Sequence, residues 1–441
     1  MKNIIFYKDN FINREIAFVL NIEYKFIDNI KYLKNEIIYI DNIYEKEFIK
    51  NNLKRYQNYI LFEDICNYLD NFNHIQIQNQ RKLCKNINEV NKIQLENLSL
   101  PEMLIKVLYS KPKDINCPCI LNEANLHPDG NLWPCCPNWV AKPFGNILID
   151  EDIYNNYLAR IIKLSALNKT YCFCNLNFCK YNGSPYLDKF NENIDLKVRD
   201  IPKQLSISID RRCNLRCNSC RKSFFVPTNT QKEMSNIIAK KLLNLNWLNN
   251  TCVFIAGDGE VFFSPVYLDL LKSKKMCGDT IKILSNGTLF TKDKWQLLEN
   301  KYKNIYIAIS IDAATKETYE KLRHGNFDIL LKNLNMLKEL KKNNKIVSLQ
   351  FNFVVQKDNY KEMENFVKLA KHFNVDIVQF TKLSDWGVLN DYNEKSLIIN
   401  DYLVYDLYKE FQKPIFKDKI VNIDYFKYHI ECSKKHYDVN K

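Results

Sequence analysis

Three thiols, Cys213, Cys217 and Cys220, stand in the stretch "CNLRCNSC", directly after the alternating run "LSISID". Their spacing on one short segment suits a metal centre, yet zinc, the common structural metal, takes four protein ligands. Three thiolates holding a 4Fe-4S cubane leave one iron without a protein ligand, which is useful where a small molecule must bind the metal directly. A zinc site borrowing its fourth ligand from elsewhere in the chain is the competing reading.

Ten of the 15 cysteines fall between residues 117 and 220, in short-spaced groups. In a chain of this size without secretory features, that pattern points to metal ligation or redox chemistry rather than disulfides. A second thiol-rich stretch reads "CPCILNEANLHPDGNLWPCCPNW", then "FGNIL", then "YCFCNLNFC". The scattered Cys66, Cys84, Cys252, Cys277 and Cys432 are expected to be small buried apolar residues.

The elements that must position these groups fall into three regions and a tail. Residues 203–390 alternate strand-like runs ("LSISID", "TCVFIA", "IKILSN", "IYIAISI", "IVSLQFNFVV", "DIVQFT") with amphipathic segments. Met234, Ile237, Ile238, Leu242 and Leu245 share one helical face; so do Phe327, Leu330, Leu331, Leu334 and Leu337, and later Met363, Phe366, Val367 and Ala370. Such a series predicts an α/β fold of parallel strands with right-handed crossovers, too short for a full eight-unit barrel and therefore a partial (β/α)6 barrel open along one side. Residues 111–195 hold the second thiol group, and 391–441 form an aromatic, charged tail.

Residues 1–110 ("IIFY", "NREIAFVL", "YKFID", "EIIYID", "YILFE") predict a small α/β unit with a parallel sheet, and with Asp28 about 20 residues past the first loop they resemble the Rossmann-like domains that accompany some sugar-modifying enzymes. Where a dinucleotide fingerprint would need glycines, the chain reads "YKDNFIN", and the side chains of Lys8, Asp9 and Asn10 occupy the place of bare backbone. A structural or docking role is expected there instead of nucleotide binding.

No apolar run approaches the roughly 20 residues of a spanning helix, and the first residues lack signal-peptide order, so a cytoplasmic protein without membrane contact is expected. The formal charge of +13 suits an acidic partner, but Lys, Asn and Ile are abundant throughout. No focused basic stripe marks a nucleic-acid site. Glycine is scarce, nine in all with none before Gly130, so each one kept suggests a positive φ or a close approach.

The surroundings of the three thiols resemble the radical S-adenosylmethionine (SAM) enzymes, whose signature is CxxxCxxC in the loop after the first strand of a partial barrel. The resemblance implies a cluster held by Cys213, Cys217 and Cys220, SAM chelating its open iron, and reductive cleavage to a 5'-deoxyadenosyl radical. "AGDGE" (Gly257, Asp258, Gly259, Glu260) looks like the family's GGE-type motif, which receives the SAM amino group. "LSNGTL" and "SIDAAT" end the next two strands, and the resemblance implies that Ser285, Asn286, Ser310 and Asp312 line the ribose and carboxylate side of SAM. One departure is Ser219, at a position before the third cysteine that is often aromatic in the family.

Residues 111–195 resemble the SPASM or twitch extension that carries auxiliary Fe-S clusters, through Pro128-Asp129-Gly130, Cys135-Cys136, Trp139, Gly145-Asn146 and the Cys174 to Cys179 pair. This implies one closed auxiliary 4Fe-4S site on Cys117 or Cys119 with Cys135, Cys174 and Cys179, and Cys136 and Cys172 in reserve. A four-cysteine zinc site fits the spacing too. In most relatives the extension follows the barrel; here it precedes it.

Together these features imply an enzyme that removes hydrogen from a carbohydrate or small metabolite. A peptide or protein maturase is the alternative, and a non-catalytic Fe-S or zinc scaffold a third. Its electron donor would be a flavodoxin or ferredoxin.

Overall fold

Strands following one another in sequence order and all parallel form the spine of the chain's second half. In the computed structural model the described residues are the strands at 4–7, 24–27, 37–40 and 60–61, isolated positions between 103 and 115, and most of 117–176 and 199–426. Within the last two ranges, 138, 168, 222, 256–258, 385–388, 390 and 398–400 lie outside the described residues. The chain divides into two units: 1–123, 132–146 and 150–200 make the first, and 124–131, 147–149 and 201–441 the second.

In the first unit, β1 (Ile4–Tyr7), β2 (Tyr24–Ile27), β3 (Ile37–Ile40) and β4 (Ile60–Leu61) form a sheet of order β2-β1-β3-β4. All its pairings are parallel, as the runs of branched residues predict. The expected helix "NREIAFVL" lies outside the described residues. Next come β5 (Glu123–Leu126), most of which belongs to the second unit, and the short β6 (Asn131–Trp133) and β7 (Gly145–Asn146). Helix α1 (Tyr157–Leu167) follows in the first unit. The Pro128-Asp129-Gly130 stretch is a turn: His127 N donates to Asn131 O, Gly130 N to His127 O, and Gly130 takes a φ of 82°.

The second unit is built on β8 (Gln204–Ile207), β9 (Cys252–Ile255), β10 (Gly278–Ser285), β11 (Tyr302–Ser310), β12 (Ser348–Val355) and β13 (Ile377–Lys382). Each pairs in parallel with the next. A short β14 (Val421–Asn422) adds a further parallel strand from the tail, where the sequence shows no pattern. Between the strands run α2 (Asn229–Leu242), α3 (Pro265–Lys272), α4 (Lys316–Arg323), α5 (Phe327–Lys342) and α6 (Met363–His372), with α7 (Asp401–Phe411) after them.

Helix starts are set by side chains that accept from otherwise orphaned amides: Thr228 with Gln231 as a capping box, Ser264 with Pro265 at the first position, and Thr315 and Asn326. One sheet face is buried and apolar. Phe351 and Phe353 on β12 pack on Phe366 of α6, with ring centroids 6.2 and 4.8 Å apart. The alternate positions are only half-buried, and they place Ser310 at the end of β11, Asn352 and Gln379 within β12 and β13, and Asn422 of β14 in one cross-strand row.

Three local expectations are corrected. Ile237 is exposed, because Ser235, Ile238, Ala239 and Leu242 form the buried stripe of α2. Leu331 is only half-buried. Cys252 and Cys277 are half-buried instead of core residues, Cys252 because it lies on the alternating, half-open positions of its strand.

Candidate active site

The loop after β8 does not continue as strand, because the phenol of Tyr267 on α3 accepts from both Ile209 N (2.9 Å) and Asp210 N (3.2 Å). Asp210 then accepts from Ser264 Oγ at 2.5 Å and pairs with Arg212. The chain is thereby turned into the segment that carries the three thiols.

The turn after β9 packs directly on this segment: Glu260 N donates to Arg212 O at 2.8 Å. Gly259 is required there because a Cβ would lie 2.2 Å from Asp210 O. Gly257 and Asp258 lie outside the described residues. Glu260 is buried, and its carboxylate accepts from Ser285 Oγ and Asn286 N, both at 2.7 Å, and from Phe262 N at 3.2 Å. Burial pushes its carboxyl above the usual range, against those hydrogen bonds. Asn286 reaches back to the thiol segment, with Nδ2 2.9 Å from Asn214 Oδ1 and 3.8 Å from Cys213 Sγ. Asn214 closes the ring by donating to Thr288 Oγ1 at 2.9 Å.

Cys213, Glu260, Ser285 and Asn286 thus belong to one connected network at the strand ends. Asp312 lies in another: it ends its strand at φ 62° and accepts from Arg323 NH1 at 2.6 Å and from Val354 N at 2.7 Å. Ser310 is half-buried at the end of β11. Asn214 and Thr288 stand inside the stretches "CNLRCNSC" and "LSNGTL" but were given no role there, and Arg323 lies outside every motif. So does Asn333, though its Nδ2 holds the 287–288 turn through Gly287 O and Thr288 O, both at 2.9 Å. The only available signal was an Asn inside an otherwise apolar helical stripe.

Burial pushes the Cys213 thiol up, and that of Cys217 up to about 11. Two cations oppose this. Arg221 lies 3.6 Å from Cys220 Sγ, and Arg323 acts on Cys217. Three thiols on one short segment, with the cations of Arg221 and Arg323 beside them, suit an iron-sulfur centre whose thiolate ligands add negative charge. Among the described residues, no group of three or more His, Cys, Asp or Glu side chains is placed to hold a single ion. A cubane makes a different demand, since each thiolate takes its own iron.

In the first unit Cys119 and Cys135 meet side chain to side chain, which with burial pushes the Cys135 thiol far up. Cys119 Sγ also donates to Glu123 Oε1 at 3.5 Å. Cys117 is buried, and its backbone N–H donates to Tyr171 OH at 2.9 Å. Cys174 pairs in an isolated antiparallel bridge with Val140. Burial holds Cys172 up at about 12, and the Lys113 amine faces both Cys172 and Cys174. Cys136 is half-buried, and Cys179 lies outside the described residues.

Residues 207–370 of this parallel α/β unit, which carries its thiol segment after the first strand, match the model of the Radical SAM superfamily, a family of SAM-dependent enzymes. Among curated proteins the chain is similar to the tungsten-containing aldehyde ferredoxin oxidoreductase cofactor-modifying protein of Pyrococcus furiosus, 24% identical over 41% of this chain and 51% of that protein. It is also similar to the antilisterial bacteriocin subtilosin biosynthesis protein AlbA of Bacillus subtilis, 24% identical over 32% of this chain and 31% of that one. The matches therefore span about half or less of those relatives. Among solved structures, SuiB of Streptococcus suis bound to the precursor peptide SuiA aligns at a TM-score of 0.40, with 16% identity over 56% of this chain and 54% of that one. No helix among the described residues is long and apolar enough to cross a membrane.

Proposed function

We propose that this chain is a radical SAM enzyme whose six consecutive parallel strands form the family's partial barrel, with a 4Fe-4S cluster on Cys213, Cys217 and Cys220. The observation that carries this is the network running from Cys213 through Asn286 to Glu260, which locks the thiol segment onto the ends of β9 and β10. When bound, the cluster and SAM supply a deoxyadenosyl radical able to remove hydrogen from substrate. The chain's own part is placement. Glu260 fixes Ser285 and Asn286, Asn214 and Thr288 hold the thiol loop, and the Ser310, Asn352, Gln379 row offers hydroxyl and amide groups to a polar substrate.

An auxiliary 4Fe-4S site in the first unit would draw on Cys119, Cys135 and Cys174 with Cys179. The contact between Cys119 and Cys135 favours Cys119 over Cys117. A flavodoxin or ferredoxin is the proposed electron donor, in keeping with the net positive charge.

Two substrate readings have support. The parallel sheet of residues 4–61 favours a carbohydrate or small metabolite, as in sugar-modifying enzymes with a Rossmann-like companion domain. The similarity to a bacteriocin biosynthesis protein favours a peptide, and the polar row would serve backbone amides equally well.

Anaerobically reconstituted protein given SAM and dithionite should form 5'-deoxyadenosine. It should carry about eight irons per chain if both cubanes are present. Cys217→Ala should lose about four irons and all product. Well-loaded wild-type protein that makes no 5'-deoxyadenosine refutes the reading.

A further inference from the structure

Arg323 is a buried cation at the carbonyl end of α4 that the SAM site, as read above, does not use. Its side chain is 9% exposed, NH1 is tied to Asp312 at 2.6 Å, and Nε is buried without a hydrogen-bond partner. Asp312 cannot swing away to serve another group. Its Oδ1 accepts from Val354 N, its carbonyl accepts from Asn359 Nδ2 at 2.9 Å, and its backbone sits at φ 62°.

The thiol segment docks on this same helix end. Cys217 Sγ lies 3.8 Å from Arg323 O, Asn218 N donates to Leu322 O at 2.9 Å, and Asn218 Nδ2 donates to Lys321 O at 3.2 Å. The last carbonyls of a helix carry partial negative charge. A thiol can donate to the Arg323 carbonyl; an iron-bound thiolate has no proton to donate and is repelled by it. The guanidinium of the same residue, paired with Asp312 at 2.6 Å, supplies the opposite charge.

We infer that Arg323 is a positioning residue for the Cys217 corner of the cluster: held in place by Asp312, its fixed charge stabilises the reduced, more negative cluster and raises the reduction potential. The inference rests on the cluster assignment proposed above. The electron comes from an external reductant, dithionite in the test, and no bond is made or broken.

The test is an EPR-monitored redox titration of full-length, anaerobically reconstituted wild type, Arg323→Gln, Arg323→Lys and Asp312→Asn, following the reduced-cluster signal that SAM perturbs. Arg323→Gln should lower the potential by about tenfold in the one-electron equilibrium, about 59 mV. Asp312→Asn should raise it, and Arg323→Lys should stay near wild type. Opposite signs for the two partners are what a merely structural ion pair would not give. If Arg323→Gln fails to load iron, the sign of the Asp312→Asn shift decides: a rise supports the inference, and no change or a fall overturns it. Unshifted potentials in loaded variants, or shifts of the same sign, also overturn it. An iron content unaffected by Cys217→Ala would instead refute the cluster assignment beneath it.

Discussion

Gly259 and Asp210 approach so closely that a Cβ on the glycine would stand 2.2 Å from the aspartate carbonyl oxygen, and 2.9 Å from that of Arg212. Both obstacles are backbone, so neither can rotate aside. The contact fastens the turn after β9 to the thiol segment, next to the hydrogen bond from Glu260 N to Arg212 O.

Gly259→Ala is therefore expected to push the two segments apart, at a cost of about 1–3 kcal/mol for overpacking. Iron at the Cys213, Cys217 and Cys220 site should fall with it. Iron analysis beside a urea denaturation curve checks this, and a variant with wild-type iron and an unchanged midpoint would show that the segments can yield.

Glu260 holds three donors with one buried carboxylate. In Glu260→Ala the amides of Asn286 and Phe262 and the hydroxyl of Ser285 lose their acceptor, and each group left unsatisfied costs about 1–3 kcal/mol. Glu260→Gln keeps the shape but brings an NH2 group to face donors, so it should be destabilised as well. Urea denaturation at neutral pH is the measurement; a glutamine variant as stable as wild type would show the carboxylate to be free for another partner.

Cys119 meets the side chain of Cys135, whereas Cys117 is a buried residue whose backbone is tied to Tyr171. Cys119→Ala should thus remove about four irons from doubly loaded protein. Cys117→Ala should keep them and show only the modest loss of a small buried side chain. The reverse pattern would assign the ligand to Cys117.

Six strands, the α6 stripe of Met363, Phe366, Val367 and Ala370, and the positive φ of Gly130 were legible in sequence, because side-chain period and backbone preference are local. What was not legible is long-range. Burial of Arg323 depends on Asp312, 11 residues away along the chain, and on a carboxylate fixed from β12. Asn333 and Asn214 read as ordinary polar residues until the fold brings the 287–288 turn beside them. The exposure of Ile237 shows the same limit: with Ser235 and Ala239 in the buried stripe, small residues displaced a larger apolar one that periodicity alone would have placed inside.

Lys163 is a further ionisable group whose burial the sequence did not reveal. It lies in α1, fully buried, with Nζ donating to Tyr154 O at 2.8 Å and Asn155 Oδ1 at 3.1 Å and lying 3.4 Å from the Tyr154 ring centroid. Burial lowers its pKa to about 7, partly offset by Asp152. Between about pH 7 and the ordinary lysine value the unfolded chain binds a proton that the folded one does not, so stability rises with pH in that window. Below it the cost of burying the charge is fully felt. Lys163→Met does not titrate, so the wild type should gain on it from pH 7 to 9.5, by at most about 1.4 kcal/mol per pH unit. Urea midpoints of the two proteins across that range give the difference directly, since every other titrating group is common to both. Parallel curves would mean that the amine stays charged and finds its compensation in the carbonyls around it.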